Sequence, residues 1–251
     1  MMSLNKVTLE QVVRNQFFYK VGAYSGVFIS LIVLQLIAVV FSLNGVGNSS
    51  WGSELLSYNL HYYSGNIVFV FTMLWVFIVS IIITSKNYRD EDFSFVSNRL
   101  SSDLSNILFI VLVSFIGTVT ALLSTFLLKV ILLFLPKFDL FYHSPISMSM
   151  GNFLFFGMVT AFCYIFLCGA AGYFIGTLVR LSSLFKILVP VVFVGYLFIG
   201  DMFSEVSGLA TVVEFFYFES SLVTFVLKIF FTVVLLFVSS VAIFNRMEVR
   251  Q

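Results

Sequence analysis

Residues 66–84 read NIVFVFTMLWVFIVSIIIT, and the next five, SKNYR at 85–89, bring two positive charges. Nineteen uncharged residues at 1.5 Å rise make about 29 Å of helix, close to the roughly 30 Å hydrocarbon core of a bilayer. The stretch therefore reads as a transmembrane helix that ends at a charged membrane face. The whole chain agrees with that reading: 60% of its 251 residues are hydrophobic and 10% charged. A soluble domain, nearer 45–50% apolar and about 25% charged, has too little interior to hide so much apolar surface.

Working outward, five more segments qualify: Ala23–Leu43, Asn106–Leu135, Asn152–Leu178, Leu184–Gly200 and Leu222–Phe244. The Asn106 span is long, so tilt or an extension past the bilayer is expected. The Leu184 span is short and contains Pro190. Lys6, Arg14, Lys20, Lys86, Arg89, Arg99, Arg180, Lys186, Arg246 and Arg250 all fall on one side of this arrangement. Of the loops on the other side, only the one at 136–151 carries a base, Lys137. That bias places both chain ends in the cytoplasm. Lys129 and Lys228 sit near the outer ends of their spans, where snorkelling explains them. More than twenty polar or amphipathic residues precede the first span and no small-residue cleavage site follows it, so this span is expected to stay in the mature protein. The expected fold is an all-α integral membrane protein of six spans, forming a single transmembrane domain over 1–251.

Three segments are not simple spans. In residues 8–20, Leu9, Val12, Val13 and Phe17 recur at helical spacing, with Glu10, Arg14 and Lys20 set apart from them. Thr8 and Gln11 have the capping-box spacing, so an amphipathic helix lying along the membrane surface is expected. In the loop 85–105, the acids Asp90, Glu91 and Asp92 favour a helix N-terminus. Phe93, Val96, Leu100 and Leu104 follow as an apolar stripe, which needs either the membrane or another protein against it. In the external segment 201–221, Asp201, Glu205, Glu214 and Glu219 stand among Phe215, Phe216 and other apolar residues. Two short helices dipping back into the outer leaflet would satisfy both features. Glu214 or Glu219 then has Lys228 within reach as a partner.

The glycines Gly169, Gly172 and Gly176 in the fourth span form a small-residue face that lets a second helix approach closely. Cys163 and Cys168, five apart on that helix, point to different faces and read as small hydrophobes. The sequence has no Walker A loop and no Gly-x-Ser-x-Gly elbow. His61 and His143 stand in separate loops without metal-site spacing. No basic patch suited to nucleic acid is present. No catalytic set, metal site or resident cofactor is expected. The spans hold almost no charge and the two halves show no self-similarity, which weighs against a secondary carrier.

These parts together resemble the permease subunit of ABC-2-type ATP-binding-cassette transporters, also called type V exporters. The 8–20 helix is similar to that family's connecting helix. The stretch YRDEDFSFVSNRLSSD at 88–103 resembles its coupling-helix loop, although NRLSS at 98–102 lacks the proline of the family's Pro-Val-Ser-like element. GTLVRLSS at 176–183 resembles the short fourth turn, 200–221 the re-entrant external hairpin, and AIFNRMEVR at 242–250 the last helix with its basic tail. The resemblance implies coupling to a cytosolic ATPase through Arg89, Asp90, Glu91, Asp92, Phe93, Val96, Leu100 and Leu104. It implies a connecting helix carrying Leu9, Val12, Val13 and Phe17. It also implies an external gate around Glu205, Glu214, Phe215, Phe216, Glu219 and Lys228. ATP and Mg would be bound by the ATPase dimer, with a second permease subunit, identical or related, alongside in a bacterial cell membrane. The expected cargo is apolar or amphipathic, such as a bacteriocin or toxin peptide, although the chain's 33 phenylalanines serve equally well to face lipid. The alternative is a stand-alone six-helix membrane protein, an immunity factor or scaffold, without transport.

Overall fold

The structure is a computed structural model that describes residues 8–43, 47–53, 56–62, 65–85, 99–134, 150–181, 215–216, 219 and 221–247. Its elements are α1 (Leu9–Ala23), α2 (Ser25–Ser42), β1 (Gly47–Ser53), β2 (Leu56–Tyr62), α3 (Asn66–Ile83), α4 (Arg99–Phe134), α5 (Met150–Leu181) and α6 (Leu222–Met247). Every helix from α2 to α6 is long and apolar enough to cross a membrane. The chain is a multi-pass membrane protein. The expected span Leu184–Gly200 lies outside the described residues.

Local sequence accounts for the helix ends. Thr8 is the N-cap of α1, and its backbone N–H donates to Gln11 Oε1 at 3.3 Å. A single residue, Tyr24 (φ −100°, ψ 27°), separates α1 from α2. Between α2 and α3 the chain folds into an antiparallel hairpin whose register runs from Gly47 opposite Tyr62 to Ser53 opposite Leu56. This hairpin departs from the all-α expectation; the other elements among the described residues are helices. α4 begins at Arg99, seven residues ahead of the apolar run at Asn106, and spans 36 residues. At 1.5 Å per residue it is about 54 Å long, so its first turns stand clear of the hydrocarbon.

The contacts give the helix directions. α2 and α3 are antiparallel: Trp75 Nε1 donates to Ser30 Oγ at 2.9 Å and Gln35 Nε2 to Thr72 Oγ1 at 3.1 Å. α4 runs against α5, with Asp103 beside Tyr173 and Phe115 beside Phe162. α5 and α6 run the same way, because Tyr164 meets Phe225, Tyr173 meets Phe237 and Arg180 meets Phe244. The end of α5 and the start of α6 therefore lie at opposite ends of the bundle.

The seam between α3 and α5 is set by glycine. A Cβ at Gly172 would fall on the Phe77 carbonyl oxygen, and one at Gly176 on the Thr84 hydroxyl. At Gly169 a Cβ would stand 2.9 Å from Ile110 and 3.0 Å from Val76. The close helix approach read from the glycine spacing is thus a seam against α3. Around it Val76, Phe109, Ile110, Ile165 and Tyr173 form the core. Several hydroxyls in the spans return to their own helix: Ser42 Oγ donates to the Ala38 carbonyl at 2.9 Å and Ser240 Oγ to the Leu236 carbonyl at 2.8 Å, whereas the buried Ser80 and Ser114 hydroxyls have no partner among the described residues. That habit removes a polar cost that lipid would not offset.

Candidate functional site where α1 meets α4

One group of polar residues that the fold gathers lies at one end of the bundle, on three helices. Lys20, in the last turn of α1, is only 1% exposed. Its ammonium donates to Ser105 Oγ at 2.7 Å and to Asn106 Oδ1 at 2.5 Å, both on α4. Ser105 Oγ in turn donates to the Ser102 carbonyl at 2.8 Å. Two residues before Ser105, Asp103 accepts a hydrogen bond from the Tyr173 hydroxyl of α5 at 3.1 Å. Less than two turns of α4, Ser102 to Asn106, thus hold α1 through Ser105 and Asn106 and α5 through Asp103. Burying an ammonium or a carboxylate is costly unless hydrogen bonds hold it, and here they do. Gln16, one turn before Lys20 on the same face of α1, is buried, and neither of its side-chain polar atoms has a partner among the described residues.

This corrects the sequence reading of α1, which sets Lys20 apart from the apolar face. Lys20 follows Phe17 by three positions and Val13 by seven, so helical periodicity returns it to the face they share. Val13 is buried with it, Val12 and Phe17 are half-buried, and Leu9 is exposed. Sorting α1 residues by polarity hid Lys20 and Gln16; sorting them by angle would have found both.

Leu100 and Leu104 lie on the first two turns of α4, continuous with the span, and both are exposed. Arg89, Asp90, Glu91, Asp92, Phe93 and Val96 lie outside the described residues, as do Glu205 and Glu214.

At the opposite end, the residues read as an external cluster come together in part. The Lys228 ammonium pairs with the Glu219 carboxylate and stands 4.0 Å from the centre of the Phe215 ring. It also donates to the Phe215 carbonyl at 3.4 Å. Thr224 Oγ1 donates to the other Glu219 oxygen at 2.9 Å. Tyr164 of α5 donates to the Phe216 carbonyl at 3.0 Å. Of the two acids weighed as a partner for Lys228, Glu219 takes the position. The cluster fastens the residues just before α6 to both α5 and α6.

Among the described residues neither end presents a nucleophile with an adjacent base. Among the described residues no group of three or more His, Cys, Asp or Glu is placed to hold a metal ion. The α1–α4–α5 junction ties three helices together through side-chain hydrogen bonds. No family model matches the chain, and no curated protein or solved structure shows significant similarity to it.

Proposed function

We propose that this chain is the membrane-spanning permease subunit of an ATP-driven ABC exporter, moving an apolar or amphipathic substrate across a bacterial cell membrane. The observation that carries this reading is the α1–α4–α5 junction. α4 starts at Arg99, inside the segment 85–105 read as the ATPase-coupling loop, and carries two of its residues, Leu100 and Leu104. Six residues further on it is tied to α1 through Lys20, and through Asp103 it is tied to α5. A displacement of the loop would pass into three helices at once, which is what coupling through a two-state element requires.

Two further features support the reading. α5 and α6 run in the same direction, so the end of α5 and the start of α6 lie at opposite ends of the bundle, as a crossing at the expected span Leu184–Gly200 requires. That agrees with six spans and with both ends in the cytoplasm. Between 22% and 39% of each described span is buried inside the chain, which leaves broad apolar faces for lipid and for a second permease subunit. ATP and Mg belong in this scheme to the separate ATPase dimer.

The test is affinity purification of the chain from native membranes in mild detergent. A co-purifying Walker-motif ATPase, lost in Phe93→Asp or Val96→Asp, is the expected result. A preparation without any ATPase, repeated in the presence of an ATP analogue, would overturn the proposal and leave the stand-alone membrane protein.

A further inference from the structure

Between α1 and the first turns of α4 lies an open groove of about 530 Å³. Its walls are Leu9, Val13 and Phe17 on one side and Leu104, Ile107 and Leu108 on the other. These are apolar side chains at the level where α4 enters its apolar run. Two charges border the groove, Glu10 and Arg14, one turn apart on α1. A Glu followed four positions later by an Arg is the favoured order for an ion pair on a helix. The two do not pair here. The Arg14 guanidinium instead lies 5.8 Å from the centre of the Phe18 ring, and Glu10 makes no ion pair among the described residues. The groove therefore offers a separated cation and anion above an apolar trough at the membrane rim.

That combination has a specific complement. We infer that the groove binds one phospholipid with a zwitterionic, primary-ammonium headgroup, a phosphatidylethanolamine. The phosphate faces Arg14, the ammonium faces Glu10, and the first part of an acyl chain lies between α1 and α4. An anionic lipid without an amine would satisfy Arg14 and meet repulsion at Glu10. A choline lipid would present a quaternary ammonium with no N–H to donate to the Glu10 carboxylate. The inference rests on the membrane setting alone and not on transport.

Purified full-length chain in detergent, exchanged into equimolar ethanolamine, choline and glycerol phospholipids of matched acyl chains, provides the test by native mass spectrometry. The ethanolamine lipid is expected to be retained about fivefold over the other two, the upper range for exposed charge pairs. Glu10→Gln removes the ammonium partner, and the discrimination between ethanolamine and choline lipids is expected to vanish with it. Leu108→Trp fills the trough without altering either charge and is expected to lower retention of all three lipids. Equal retention of the three lipids by the unmodified chain overturns the inference. Unchanged ethanolamine preference in Glu10→Gln, with α-helical content intact by circular dichroism, overturns it as well.

Discussion

Gly172→Leu is expected to abolish the folded bundle, and Gly172→Ala to destabilise it by about 3 kcal/mol, the upper end for overpacking a tight interior. The obstruction is backbone: a Cβ at Gly172 would fall on the Phe77 carbonyl oxygen, with the Phe77 Cα 3.1 Å away. A side chain in that position could rotate aside, whereas a carbonyl within a helix cannot without moving α3. Moving α3 would also disturb its packing on α2 and α4, so the damage is not confined to one seam. Gly157, on the same helix, is the control, because a Cβ there meets nothing within 4 Å. Gly157→Ala is expected to be neutral or to gain up to about 1 kcal/mol from helix propensity. Thermal unfolding in detergent, followed by the loss of the monodisperse peak in size-exclusion chromatography, compares the two. Equal stability of Gly172→Ala and Gly157→Ala would show that α3 and α5 are not in this contact.

Lys20→Met is expected to cost about 3 kcal/mol, the scale of a charge-assisted hydrogen bond together with a buried acceptor left unpaired. The methionine keeps the length of the side chain and most of its packing, so the loss reports the ammonium. Asn106 Oδ1 then faces apolar surroundings without its donor from α1. Changing Asn106 as well, to leucine, removes that unpaired group, and the double variant is expected to recover part of the loss. A coupling of about 1.5–3 kcal/mol in the double-mutant cycle is the expected value. Losses that simply add would mean that Lys20 and Asn106 do not interact. Lys20→Arg preserves the charge and is expected to fall between the parent and Lys20→Met.

Five of the expected spans were legible in the sequence because lipid imposes one rule, a run of apolar residues long enough to cross, and that rule leaves a continuous signal. The observed α2, α3 and α6 begin within two residues of the expected spans. The glycine face of α5 was legible for a related reason: spacing by three and four positions is a direct statement about which side of a helix is small. The Lys20 junction was not legible. A buried lysine contradicts the general preference of charge for the surface, and its partners, Ser105 and Asn106, are 85 and 86 positions away. Nothing local in residues 8–20 announces them. The length of α4 was legible only in part, since Ser101, Ser102 and Asp103 read as part of a separate helix exposed to the cytoplasm but belong to α4 and are buried. Tertiary packing holds those polar turns in a helix that their composition alone would not favour. The external pair of Lys228 with Glu219 lay between these cases: one base facing an acidic segment named the candidates, and the structure shows the Glu219 contact, while Glu214 lies outside the described residues.

The number of crossings can be measured without knowing the cargo or the ATPase. In a background of Cys163→Ala and Cys168→Ala, single cysteines at Ser3, Ser57 and Gln251 are labelled with a membrane-impermeant maleimide on intact cells and again after permeabilisation. Six spans with both ends inside predict that the Ser57 position labels on intact cells, while the Ser3 and Gln251 positions label only once the membrane is opened. Labelling of the Gln251 position from outside, with the Ser3 position protected, would mean an odd number of crossings and would contradict the six-span permease.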